Sequence, residues 1–357
     1  MRFYIETHYY NKVTGELEKE GQSYELWLKT YPQDLAPLHN LADLHATLGE
    51  YEKALRAGLQ AIPRQQDNED IYNEVASDYM DLGKFSEAEA IYDQAAKRGL
   101  ESVEILQGRY LLAFLKSDEP EMERLVASAK GKPIAEDSML FCAATTAAYF
   151  GKWKEARKLF QESVASAKRN RSISRAAIHQ ADAAVMEARI GYPPAPEDAE
   201  RALKLDRNFY TEGISAVTLA LAGRNARAKD LAADLNRNST KNTVVQRIWL
   251  PTIRAALALN QGNGEDAIKE LQATGSYDLS MGSESRADPI YVRGEAYLQL
   301  HNGAAAAAEF QRIIDHPGVV GFCPVAALAR IGLARSYAMQ GDTAKARAAY
   351  QDFLALW

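Results

Sequence analysis

Cysteine is nearly absent: Cys142 and Cys323 are the two in 357 residues. They lie far apart in apolar contexts and form no CxxC, so a disulfide framework is excluded and each reads as a small buried residue. Histidine is sparse too, with six: His8, His39, His45, His179, His301 and His316. No pair has HExxH spacing and no Cys/His cluster closes a zinc site, so no metal is expected. The phosphate-cradling GxxxxGK[ST] and GxGxxG loops are missing, as is the GxSxG elbow, so no cofactor and no catalysis are expected. Nowhere do eighteen apolar residues run consecutively, and the opening MRFYIETHYY has no apolar signal region, so no membrane insertion is expected. The compartment stays open: cytoplasmic, or extracytoplasmic if a membrane helix precedes this stretch. Long runs of one charge are also lacking. The net charge of −6 divides into 15 Lys+Arg against 25 Asp+Glu over residues 1–136, and 27 against 23 over the rest. A nucleic-acid partner is therefore not expected. The densest basic stretch, Lys152 to Arg175, is interrupted by Glu155 and Glu162 and reads as a solvated helix face.

What the chain has is a repeat. TGELEKE, LGEYEKA and LGKFSEA set Gly15, Gly49 and Gly83 34 residues apart, and the count continues to Ser117 and to Gly151 in FGKWKEA. Five residues after each turn come Glu20, Ala54, Ala88, Met122 and Ala156; nine after it, Tyr24, Gly58, Tyr92, Val126 and Phe160. Small side chains let two antiparallel helices approach, and a ring fills the next layer. The turn glycine takes the left-handed conformation that ends the first helix. Gly83→Val is therefore expected to cost far more than Ser117→Val. The period is that of the tetratricopeptide repeat. It predicts an all-α, right-handed superhelical solenoid of about ten antiparallel helix pairs.

The chain reads as one elongated domain over 1–357, regular over 1–170 and looser over 171–357. Connecting loops are expected at 191–197, 275–289 and 316–324, each rich in Gly or Pro. Pro251 either kinks a long helix or starts one. The abrupt end at Trp357 and start at Met1 suggest a piece of something larger.

The first helices of the pairs should line an inner groove. Counting from the turns, its N-terminal part carries His39, Asp43, Asp70, Asn73, Ser77, Glu104 and Gln107, a polar and acidic set. Its C-terminal part carries Trp249, Tyr291, Glu295 and Arg335, residue types that often anchor partners. The function expected is a non-catalytic scaffold for a protein or peptide ligand. A basic segment would lie against repeats two to four and an apolar one against repeats eight to ten. The acids at Asp43, Glu74 and Glu104 exclude a clamp for a terminal carboxylate. The alternative is a small-ligand receptor or enzyme accessory module that encloses a metabolite with the groove and the 275–289 loop.

Several stretches carry a narrower resemblance: HYYNKVTGELEKEGQSYELWLKTYPQD, WLPTIRAALALNQG, YVRGEAYLQLHNGAAAAAEFQRIIDHPG and ARSYAMQGDTAKARAAYQDFLALW. They resemble the C-terminal repeat region of bacterial eukaryote-like Ser/Thr protein kinases; related regions also follow winged-helix DNA-binding domains. The resemblance implies the regulatory or sensor region of a signalling protein. A kinase domain is not implied here, since the VAIK-type lysine, HRD and DFG are all missing.

Overall fold

The computed structural model describes residues 1–280 and 287–357, and among them there is no strand. Twenty of its helices form ten antiparallel pairs. The first is α1 (Arg2–His8), prolonged by a π-helical stretch Tyr9–Thr14, with α2 (Leu17–Thr30). Then come α3 (Ala36–Thr47) with α4 (Tyr51–Ala61), α5 (Glu69–Asp81) with α6 (Phe85–Lys97), and α7 (Val103–Leu115) with α8 (Glu119–Ala129). The fifth to seventh pairs are α9 (Ala135–Tyr149) with α10 (Trp153–Arg169), α11 (Ile173–Arg189) with α12 (Ala195–Leu205), and α13 (Phe209–Leu221) with α14 (Asn225–Asn238). The last three are α15 (Leu250–Leu259) with α16 (Gly264–Leu271), α17 (Asp288–Gln299) with α18 (Gly303–Ile314), and α20 (Pro324–Met339) with α21 (Thr343–Leu356). The short α19 (Pro317–Val320) stands alone. The chain is thus a right-handed helical solenoid.

The register read from the sequence lands on the packing. Glu20, Ala54, Ala88, Met122 and Ala156 are all buried in the second helices, and Tyr24, Tyr92 and Phe160 fill the layer beside them. Gly15, Gly49, Gly83, Ser117 and Gly151 all take positive φ, between +57° and +79°. This corrects one expectation. Ser117 has not escaped the left-handed turn; it occupies it at a cost, so valine is strained there as well as at Gly83. Ser117→Gly should raise stability by about 0.5–1 kcal/mol, the left-handed penalty of an L-residue less the flexibility that glycine adds to the unfolded chain. Urea unfolding of the two proteins checks this, and an unchanged or lower midpoint would refute it.

The Gly- and Pro-rich segments are more structured than loops. Residues 191–194 connect two helices, but Ala195 to Glu197 already belong to α12. Segment 316–324 contains α19. In 275–289 the chain first continues the 3-10 helix Gln272–Tyr277, and α17 begins at Asp288, while 281–286 lie outside the described residues. Pro251 lies inside a helix that runs unbroken over 243–259, directly after its π-helical stretch Val245–Trp249, an irregularity of the kind that accompanies a ring with no N–H to donate.

The array does not stay extended. Each pair runs out along its first helix and back along its second. All first-to-second turns therefore lie on one edge and all second-to-first turns on the other. The second half climbs onto the first edge. The Leu17 amide donates to the Thr243 hydroxyl 226 positions away, and the Tyr51 hydroxyl donates to the Leu279 carbonyl 228 positions away, at 2.5 Å. Glu18 accepts from Thr243 and from the Tyr277 phenol. Gly318 packs on the Met80 backbone, Phe322 stands edge-on to Tyr110 and Phe114, and Trp357 covers Gly151. The loop that makes these contacts is anchored from behind, where Arg293 and Arg312 both donate to the buried Asp278. Successive superhelical turns are thus sealed by a seam, which the 34-residue period alone does not specify.

Candidate functional site: an acidic concave face

The first helices of the second and third pairs bring three of the expected groove residues, His39, Asp43 and Asp70, together with Glu74. His39 Nε2 lies 2.9 Å from Glu74 Oε1. That carboxylate raises the imidazole above its ordinary value, more than burial lowers it, with Asp70 and Asp43 adding to the rise. Asp43 itself opens to solvent on the concave side, yet the surrounding protein desolvates it and raises its pKa. Glu74 is raised too, first by burial; His39 partly offsets this, while Asp43 and Asp70 add to it. Asp70 is exposed and its amide is capped by the Asn68 side chain.

The sequence reading omitted Glu20 from this site. It is 3% exposed, takes a hydrogen bond from Asn11, and is raised by burial and then by Asp43. A signal was present: at the fifth position after the turn, where three of the other four pairs place alanine, the first pair places a carboxylate. Lys12, which acts favourably on both Glu20 and Asp43, was likewise passed over.

The other expected groove residues have different surroundings. Asn73 accepts from the Tyr92 phenol at 3.1 Å, and Ser77 shares that phenol. Gln107 points its amide at Cys142 Sγ, 3.9 Å away, and Glu104 is exposed. Glu295 and Arg335 pair at 3.3 Å across neighbouring first helices, with burial raising the Glu295 carboxyl. Tyr291 is half-buried, edge-on to Phe310 and beneath Arg189, and its phenol is pushed well above the usual range by burial.

Trp249 is not a groove residue. It is 3% exposed and pressed so closely on α13 that a Cβ at Gly213 would lie 2.0 Å from its ring. Phe209 and Tyr210 flank the indole. The reason is topological: Trp249 ends the π-helical stretch, whose extra residue per turn rotates the ring from the inner face into the core. The cavity beside it, lined by Met186, Ile248, Thr252 and Cys323, holds about 20 Å³. A metabolite pocket needs some 300–1,000 Å³. That cavity is smaller than a metabolite pocket, and the 275–289 loop of the receptor alternative includes 281–286, outside the described residues.

Among the described residues no group of three or more His, Cys, Asp or Glu is placed to hold a metal ion, and no helix is long and apolar enough to cross a membrane. Comparison with known proteins gives family-model matches to the tetratricopeptide repeat at residues 291–357 and, with a second model, at 70–101. These segments are tetratricopeptide repeats. The model for anaphase-promoting complex subunit 5 matches residues 8–74 and 129–186. No curated protein matches the chain. Among solved structures, a tetratricopeptide repeat protein from Parabacteroides merdae is similar over 94% of this chain and 99% of its own, at 15% identity and a TM-score of 0.32. Yeast Tom70 is similar over 100% and 91%, at 14% identity and 0.32. The human IFIT1 dimer with m7Gppp-AAAA is similar over 95% and 73%, at 18% identity and 0.39.

Proposed function

We propose that this chain is a protein-binding scaffold that holds a basic segment of a partner protein against the concave face of its second and third pairs. The observation that carries the reading is the convergence of Asp43, Asp70 and Glu74 around His39, with Glu20 beside Asp43 and one lysine to balance them. Clefts lined by one sign of charge and walled by protein concentrate the opposite sign and speed its arrival. A nucleic-acid partner is not part of this reading, because that face is acidic. The narrower role, as regulatory or sensor region of a bacterial signalling protein such as a Ser/Thr kinase, is supported by the sequence resemblance.

A fluorescent Lys/Arg-rich peptide is the probe. Asp43→Lys with Asp70→Lys should slow its association about tenfold at low salt and flatten the salt dependence. Acid should act in the same direction. The folded pKa values of Asp43 and Glu74 are raised, chiefly by burial, so these carboxylates lose charge at a higher pH than they would in water, while His39 gains charge. Binding should therefore weaken on mild acidification, before ordinary surface carboxylates protonate. Unchanged rates in the double variant would remove the site from consideration.

A further inference from the structure

The edge opposite the seam has a composition of its own. Four successive second-to-first turns, 97–102, 130–134, 168–173 and 204–209, contain nine Lys or Arg and two acids. The five residues that follow each left-handed turn of the first five pairs, on the seam edge, contain five Lys or Arg and ten acids. The array is therefore polar from edge to edge. The second superhelical turn meets its acidic edge at Leu17 and Tyr51, while Glu87, Asp118, Glu119 and Glu155 on the same edge stay exposed. Its basic edge faces water. Lys97, Lys130, Lys132, Lys168, Arg171 and Lys204 are all exposed there and make no ion pair among the described residues.

Apolar side chains protrude between these cations. Ile134 is 41% exposed, Ile173 44% and Phe209 48%. Each comes from a different turn at the same edge, which is not how stray surface residues distribute. Ile134 is held out by its backbone: it has φ +70° and ψ −50°, and the Ala135 amide bonds the Pro133 carbonyl at 2.8 Å. That is a strained three-residue turn, unusual for any residue and more so for a β-branched one. Packing within the chain covers the side chain only in part, leaving 41% of it exposed. Lateral bonds stiffen the edge, with Arg98 donating to Gln66 and Arg169 to Glu136 on neighbouring turns.

We propose that this basic edge docks on an anionic lipid surface, with the lysines and arginines at the headgroups and Ile134 and Ile173 in the interfacial layer. Charge complementarity selects the sign of the partner, and the protruding tips of Ile134 and Ile173 select a bilayer over a polyanion, which offers them nothing to enter. The docking is peripheral; no helix inserts. The acidic concave face lies on the first helices of the second and third pairs, away from most of these turns, and stays open to a protein partner.

Sedimentation of the full chain with vesicles tests this. Phosphatidylcholine vesicles containing phosphatidylserine should carry the chain down at low salt, and pure phosphatidylcholine vesicles should not. Each cation near an anionic surface contributes about 1 kcal/mol, or about fivefold in affinity. Lys132→Glu with Lys168→Glu and Arg171→Glu should therefore abolish measurable binding. Ile134→Ser with Ile173→Ser should remove the part that survives raised salt. Since all five side chains are exposed, melting temperatures should not fall, which separates lost docking from lost folding. Full vesicle binding by the triple variant overturns the proposal. So does absence of uptake on the mixed vesicles, including the case where the chain instead binds an RNA oligonucleotide or polyglutamate. Asp43→Lys with Asp70→Lys should leave vesicle binding intact.

Discussion

Gly318→Val should lower the melting temperature by several degrees and loosen the whole molecule. A Cβ at Gly318 would stand 1.8 Å from the Met80 carbonyl oxygen and 2.5 Å from its carbon. Those are backbone atoms of α5 and cannot step aside as a flexible side-chain tip does. The helix that carries Gly318 must retreat, and it takes Phe322 from its place against Tyr110 and Phe114. Overpacking of a closed contact costs about 1–3 kcal/mol, and an obstructing backbone puts this case at the upper end. Gly275→Val is the control. Its Cβ would meet nothing within 4 Å and its φ is not positive, so little change is expected. Small-angle scattering should show a larger radius of gyration for the Gly318 variant if the seam opens. Equal melting temperatures for the two variants would mean that the seam contributes nothing to stability.

Trp249→Ala should be the most destabilising single truncation among the residues assigned to the groove, at about 3–5 kcal/mol for a fully buried ring. The indole fills space that Phe209, Tyr210 and Gly213 cannot close over once it is removed. Association of the basic peptide with the second and third pairs should be little affected, because the indole itself packs on α13, through Phe209, Tyr210 and Gly213, and the seam joins its neighbourhood to those pairs only at a distance, through Leu279 and Tyr51. Urea midpoints and peptide rate constants, measured on the same preparation below the transition, decide the matter. A stable variant with faster peptide dissociation would return Trp249 to the binding surface and contradict the packing described above.

The two halves of the groove were therefore not equally readable. His39, Asp43, Asp70 and Glu74 belong to pairs in strict register, so counting from the turn glycine fixes the face on which each side chain lies. At Trp249 the same count passes through a π-helical stretch, and one additional residue in a helical turn is enough to exchange inner face for core. Glu20 was hidden for the opposite reason. It sits at a core position in register, and only the neighbourhood of Asp43 and Asn11 turns a buried carboxylate into part of the acidic face.

The sequence by itself determined the unit and its count. Small residues and rings recur at spacings that only antiparallel helix pairs satisfy, and a residue able to take positive φ ends each first helix of the regular stretch. These are local constraints, settled within some 34 residues. How far the superhelix winds, and what its edges meet after a full turn, depends on small rotations summed over many pairs. No spacing in the sequence encodes that sum. The tertiary structure decided that α19 and the segment after Gln272 reach the first turn, that the acidic edge is met there at Leu17 and Tyr51, and that the basic edge is left facing water. Contacts 226 and 228 positions apart bring together residues whose partners no local pattern names.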